Sequence, residues 1–511
     1  MTDLATPPRP LTPAPTRSVP ARAFITMMDQ CVSSASNFAV AVIVARLAGV
    51  SGLGAFSLAY ASWLLVAAMH RALVTDPMAI MGDARHPTDA RSNLRKGFAA
   101  EVTLGVGAGF IVGLIGVVLL LVGQRSFGIS QLAVAPWITF LLLQDYWRWI
   151  GFMQATPGKS LANDIVFDLL QGAGFVFLLV AHIHSAALAI AAWGVGALGG
   201  AVYGLWQFRV KPAVIGGFGW LRMKWPVSKW LAATSTSSWG LTQIFAILAA
   251  AFLGPVGLGG LKAAQGLVSG PAYVLVQAGG SLGLPEASRA YDKKGWSGLT
   301  RVTRVVTVAG ALGVGFVTIV VMLIGRRLLD AFYGPQFGRY ETVAIVMSFG
   351  YLISTFSVGS VLKLKTTKQT HLLFVVTTAA LIPSTLAVIL LTPALGVVGA
   401  ADAYAIGTLV YVVGLMIAAR YVANRVRSGQ IAAAPAGEAF PEGMDGGGVD
   451  LVLSWYAEHQ RAKVAPGRAA RPGPLPARSA AWYADNERVR PGPSRGARPA
   501  RVPARSAANG R

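Results

Sequence analysis

The stretch ARLAGVSGLGAF (Ala45–Phe56) lies between two strongly apolar runs, and a relative of it, AFLGPVGLGGLK (Ala251–Lys262), recurs later in the chain. With Gly49 set on Gly254, the residues Gly52, Leu53 and Gly54 fall on Gly257, Leu258 and Gly259, an offset of 205 positions. Each copy closes an apolar segment that opens with small polar residues: SSASN (Ser33–Asn37) before the first, TSTSSWGLTQ (Thr234–Gln243) before the second. At the same offset Ser33 meets Ser238 and Asn37 meets Thr242. A turn written twice between matching segments marks a duplicated half.

Composition says what kind of chain was duplicated. Of 511 residues 54% are hydrophobic and 13% charged, with a mean hydropathy of +0.56. Soluble domains carry about 25% charged residues, so this is an integral membrane protein. Twelve apolar runs are long enough to cross a bilayer, at about 27–48, 53–74, 97–122, 131–152, 165–184, 186–208, 229–253, 262–284, 303–325, 341–361, 371–391 and 395–419. Six precede the segment that the second copy closes, and that segment opens the other six. Six is even, so the halves share one orientation and are related by a pseudo-twofold along the membrane normal, with a cavity expected between them.

Charge distribution orients the chain. The net charge of +23 comes from Lys and Arg in short loops and in a low-complexity tail, a pattern of membrane topology and not of nucleic-acid binding. One set of loops, including Arg71–Lys96, Arg209–Lys229 and Arg289–Arg304, holds about 26 Lys and Arg. The alternate set holds about six: Arg46, Arg125, Lys262, Arg326, Arg327 and Arg339. Both termini are therefore expected in the cytoplasm, with the two Gly-rich turns on the outer face. The first run follows a Pro-rich leader without a convincing cleavage site and belongs to the repeat, so it is read as a span.

The expected organisation is a disordered cytoplasmic N-terminus at 1–22, a first six-helix lobe at 23–209 and a cytoplasmic linker at 210–228. A second six-helix lobe follows at 229–427, then a disordered basic tail at 428–511, rich in Ala, Pro, Gly and Arg. Within the tail, VDLVLSWYAEHQ (Val449–Gln460) reads as a short amphipathic helix, either resting on anionic lipid or docking a partner enzyme.

Enzyme motifs fail on inspection. GVGALG (Gly194–Gly199) has the G-x-G-x-x-G spacing but lies inside an apolar helix, with no preceding strand or later acid. ATPGKS (Ala155–Ser160) has Met153 where a phosphate-binding loop needs its first glycine. Cys31 is the single cysteine, which excludes an intrachain disulfide and a cysteine metal cluster. His182 and His184 read as a solvated turn. No cofactor, metal or catalytic residue is expected.

Ionisable groups at membrane depth are costly and point to function. Asp145 and Arg148 are three apart and share a helix face, as an ion pair of structural or functional kind. Asp164 and Asp168 also share a face, with Asp164 alternatively a helix cap. Asp29 opens the first span, Arg46 closes it, Lys262 opens the eighth and Asp402 lies in the twelfth. Arg46 and Lys262 have the alternative of reaching toward lipid headgroups.

The order DQ…SNF…ARLAG…GLGAFSLA (Asp29 to Ala59) resembles the opening of the polysaccharide flippases of the multidrug/oligosaccharidyl-lipid/polysaccharide (MOP) exporter superfamily, among them the Wzx-type O-antigen and teichoic-acid exporters. LQDYWRWIGF (Leu143–Phe152), GKSLANDIVF (Gly158–Phe167), LLDAFYGPQF (Leu328–Phe337) and GVVGAADAYAIG (Gly396–Gly407) are similar to their fourth, fifth, post-ninth and last segments. The resemblance covers about Ala23 to Val426 and leaves out the tail. It implies an all-α bundle of two six-helix lobes around a V-shaped cavity. It further implies alternating-access export of a polyprenyl-diphosphate-linked oligosaccharide across the plasma membrane, with no covalent chemistry. The implied cavity residues are Asp29, Asn37, Arg46, Asp145, Arg148, Asp164, Thr242, Gln243 and Lys262. The polar ones would meet sugar hydroxyls and the basic ones the diphosphate. Implied partners are the lipid-linked oligosaccharide, membrane lipids and, through the tail, glycosyltransferases or a polysaccharide polymerase. Drug/cation antiporters share the fold and stand as the rival reading, with a scaffold of a cell-wall assembly as a third. The Arg/Ala/Gly bias suggests a high-GC bacterial source.

Overall fold

The computed structural model describes the backbone of residues 19–81, 87–154, 156–211 and 215–428, and side chains within these except 19–33, 80–81, 87–91, 276–282 and 285. The side chain of Asp29, the 1–18 leader and the tail from residue 429, including Val449–Gln460, lie outside the described residues.

Among the described residues there is no strand, and nine helical stretches are long and apolar enough to cross a membrane. Three of the nine hold two crossings each, because a glycine breaks the helix midway: Gly49, Gly254 and Gly396. Twelve helices result. In lobe 1 they are α1 (19–48), α2 (50–81), α3 (Pro87–Leu121), α4 (125–153), α5 (Pro157–Val180) and α6 (Ala186–Phe208). In lobe 2 they are α7 (217–253), α8 (255–294), α9 (296–333), α10 (Glu341–Thr366), α11 (371–395) and α12 (397–427).

The repeat seen in the sequence is exact in the backbone. Gly49 and Gly254 both sit at φ 66°, ψ −167°. That region is essentially closed to residues with a Cβ and costs about 1–3 kcal/mol when forced. A Cβ at Gly254 would meet nothing within 4 Å, so its substitution isolates the backbone term. Gly254→Ala is expected to destabilise by about 1–3 kcal/mol, seen as a lowered unfolding midpoint in detergent. An unchanged midpoint would show that the turn does not hold α7 against α8.

The two lobes meet where these turns lie. A Cβ on Gly54 would run into the carbonyl oxygen of Pro255, and one on Gly259 into the carbonyl oxygen of Val50. Each contact is the other shifted by 205 positions. The first turns of α2 and α8 thus cross backbone to backbone about the pseudo-twofold, and only glycine permits that approach. The apolar core is continuous between lobes at this end, joining Leu53 and Phe56 to Phe245, Leu258 and Leu261. At the far end it separates into clusters around Trp147 in lobe 1 and around Leu415 and Tyr291 in lobe 2.

Two expectations shift. The stretch 210–228 is helical from Gly217 onward, and Trp220 is buried against Phe98 and Trp147 of lobe 1. The first turn of α7 is therefore a clasp on lobe 1. Arg71, expected in a loop, lies on α2, which continues to Met81 through a π-helical turn, Arg71–Thr75.

Candidate functional site

The densest polar cluster lies in lobe 1, toward the end away from the glycine turns. His70 on α2 and Glu101 on α3 are both fully buried, with His70 Nδ1 2.6 Å from Glu101 Oε1. The other ring nitrogen, Nε2, is 3.2 Å from Oδ2 of Asp145 on α4. The same carboxylate oxygen accepts from Nε and an Nη of Arg71, each at 3.4 Å. Asp145 is 5% exposed, whereas the Arg71 side chain is 43% exposed and lies over the Trp149 ring. A buried carboxylate–imidazole–carboxylate line thus ends on a half-exposed guanidinium.

A second group adjoins it. Arg148 Nε is 3.0 Å from Asp164 Oδ2 on α5, and the amide of Gln144 donates to Asp164 Oδ1 at 2.9 Å and to Asn163. Asp164 is not a helix cap, because α5 begins at Pro157, two turns earlier. Toward the turn end, Ser36 of α1 donates to Asp168 at 2.6 Å, and Gln171 donates to both.

Lobe 2 places different chemistry near the start of α8. Lys262 donates to Gln265 at 2.9 Å, and Gln265 donates to the Tyr351 hydroxyl. The Lys262 ammonium lies over Phe245, whose ring adjoins Tyr404, which in turn adjoins Tyr351. Lys262 is thus held against an aromatic wall.

The structure disperses the other expected residues. Arg46 is bound to the carbonyls of Ala331 and Phe332 at the end of α9, a cation on a helix C-terminus and a tie between lobes. It shares no partner with Lys262. Asn37 and Thr242 are exposed, and the Thr242 hydroxyl donates to carbonyls of its own helix, at Ser238 and Trp239. Gln243 Oε1 is buried without a hydrogen-bond partner.

Two apolar grooves run along the seams between lobes. One, of about 830 Å³, lies between α2, α3 and α7, and the other, of about 420 Å³, between α8, α9 and α1. They are copies: Leu65, Val66, Met69, Ile111, Val112 and Ile115 line the first, and Gly270, Pro271, Val274, Phe316, Val317 and Val320, each 205 positions on, line the second. Phe38, Phe316 and Phe332 line the smaller one, and Phe316 stands where the larger has Ile111.

No family model and no curated protein matches the sequence. Solved structures do match over most of the chain. An "inward-facing conformation of a multidrug resistance MATE family transporter of the MOP superfamily" aligns with a TM-score of 0.61 at 13% identity, over 80% of this chain and 98% of that one. A MATE protein in complex with the ligand MaD3S aligns with a TM-score of 0.55 at 12% identity, over 80% and 96%. A MOP superfamily transporter from Pyrococcus furiosus, whose description reads "reverse polarity of binding pocket suggests different function", aligns with a TM-score of 0.56 at 12% identity, again over 80% and 96%.

The fold is the MATE fold. Among the described residues, this chain buries four carboxylates in lobe 1, Asp76, Glu101, Asp145 and Asp164, with Asp168 half-buried, while lobe 2 carries Lys262 two turns beyond its glycine break. Sequence reading found Asp145, Arg148 and Asp164 but missed His70, Arg71 and Glu101. Glu101 was there to be found, as an acid a few residues inside an apolar run. His70 and Arg71 stand at the end of a run, where side chains ordinarily reach water.

Proposed function

We propose that this chain is a membrane exporter that moves a lipid-linked oligosaccharide, carried on a polyprenyl diphosphate, by alternating access between its two lobes. The observation that carries the reading is the large groove between α2, α3 and α7. It is mostly apolar, with Ser62, Thr103, Gln124 and Gln131 among its lining, and opens at a lobe seam, where a hydrocarbon chain stays in lipid while a polar head passes between the lobes. Met69 lines that groove, and Arg71 follows two residues on with its guanidinium half-exposed. Arg71 and Arg148 offer planar donors suited to a diphosphate. With basic loops cytoplasmic, the joined end faces outward and the parted end faces the cytoplasm, ready to load.

Drug/cation antiport is the second reading. It is favoured by the four carboxylates of lobe 1, which suit a cationic cargo. One comparison separates the two. Deletion of the gene should accumulate diphosphate-linked oligosaccharide on the cytoplasmic leaflet and leave resistance to cationic dyes unchanged. Loss of dye resistance with normal surface glycan would overturn the flippase reading in favour of antiport.

A further inference from the structure

α7 is longer than a crossing needs. Its last charged residue before the glycine break is Lys229. The 24 residues from Trp230 to Leu253 rise about 36 Å, more than the roughly 30 Å of bilayer hydrocarbon. The turns from Gly217 to Lys229 therefore lie in the headgroup layer, on the cytoplasmic side that the basic loops define. No Asp or Glu stands between Asp168 and Glu286, and these turns hold Arg222, Lys224 and Lys229. We propose that the free face of this segment is a binding site for anionic phospholipid at the cytoplasmic mouth of the large groove. Arg222 and Lys229 hold the headgroup phosphates, and the exposed aromatic side chains beside them hold the acyl boundary.

The segment has two faces, and one is taken up by lobe 1. Trp220 packs against Phe98 and Trp147, and Ser228 and Leu231 are buried below it. A Cβ on Gly217 would run into the Ala99 carbonyl oxygen and the Thr103 hydroxyl. Lys224 lies over the Trp220 ring and belongs to this side. The other face is exposed. Phe218, Arg222, Trp225 and Lys229 follow one another at helical spacing and form a single stripe, with Met223 and Trp230 beside it. Among the described residues neither Arg222 nor Lys229 has an ion-pair partner, and the Lys229 ammonium rests on the Trp230 ring.

The make-up of that face selects the ligand. A free anion uses the two cations and leaves the exposed Phe218, Met223, Trp225 and Trp230 idle. A lipid surface uses both, with indole rings at the boundary of headgroups and acyl chains and the cations at the phosphates. Arg222 and Lys229 stand about 10 Å apart along the helix, so they take two headgroups side by side. The docked face fixes where this happens. Leu221, between the two faces, lines the large groove beside Thr103 and Leu104 of α3. Lipids on Arg222 and Lys229 therefore stand where that groove opens toward the cytoplasm. Each basic group at an anionic surface contributes about five-fold in affinity.

The site is independent of what the protein exports, and its test uses no cargo. Full-length protein in mild detergent is titrated with phosphatidylglycerol or with phosphatidylcholine of the same acyl chains, and bound lipid is counted by native mass spectrometry. Phosphatidylglycerol should bind about 25-fold more tightly. Arg222→Gln and Lys229→Gln should each lose about five-fold of that preference, and together nearly all of it. Arg222→Lys should keep it. Arg301→Gln with Arg304→Gln, which removes two exposed basic groups on α9, should keep it too. Equal binding of both lipids to the unaltered protein, or the same loss in the α9 control, overturns the site. Pyrophosphate equimolar with the lipid should leave phosphatidylglycerol bound; its release would give the face to a free anion and overturn the lipid. If the preference holds in a protein that moves no oligosaccharide, the lipid site stands and the flippase reading falls.

Discussion

Alanine at Gly54 or at Gly259 should force the lobes apart at the turn end. Either methyl group meets a backbone carbonyl, of Pro255 or of Val50, that no side-chain rotation can move. Overpacking of this kind costs about 1–3 kcal/mol. Charged only to the closed state, that is about 5–150-fold in the ratio of open to closed molecules. Ser51→Cys, in a Cys31→Ser background, should then react faster with impermeant maleimide from outside the cell. Ser92→Cys on exposed α3 residue Ser92, toward the other end, should stay protected in intact cells. Because the contact is reciprocal, the two single variants should match each other. The double variant should add little, since the first methyl has already parted the surface that the second would meet. Independent, additive effects, or labelling at position 92 and not at 51, would contradict the symmetric seam and the assigned orientation respectively.

Arg148→Ala should cut protein abundance sharply. It leaves Asp164 without the guanidinium 3.0 Å away, in a place where Asp164 is nearly buried and Arg148 only 20% exposed. Breaking a buried pair from one side costs about 3–5 kcal/mol. Arg148→Ala combined with Asp164→Asn removes the stranded charge while keeping an acceptor for Gln144, so abundance should return. Export then decides the role. Abundance restored without export assigns Arg148 to the cargo, and Arg148→Lys should rescue only in part, because an ammonium lacks the planar fork. Abundance and export restored together make the pair a structural tie.

The repeat made most of the fold legible. Gly49 and Gly254 with their flanking apolar runs placed the halves, the crossings and the shared turn, because a glycine-only backbone conformation leaves its mark in the letters. The polar sites were less legible. Asp145 and Arg148 sit three apart and share a face, yet Asp145 meets His70 and Arg71 of α2 and Arg148 meets Asp164 of α5. Helical spacing says which residues share a face; it does not say which helix that face meets. Arg71 read as a loop residue since a basic side chain after an apolar run ordinarily ends it. The π-turn and the Asp145 contact extend the helix through it, and no local pattern announces either one. The stretch 210–228 read as a linker for its Lys and Arg, while Trp220 packs into the apolar cluster of lobe 1.

The two seam grooves are equal in backbone and unequal in bore. One encloses about 830 Å³ and the other about 420 Å³, and Phe316 of the smaller stands where the larger has Ile111. A pseudo-symmetric molecule with one wider flank has a heading within the plane of the bilayer. An exporter built this way would have more room for cargo along the seam between α2, α3 and α7 than along the other. Any enzyme handing such cargo over directly would have to stand beside α2, α3 and the start of α7, so neighbouring molecules in a membrane would be set by azimuth as well as by depth.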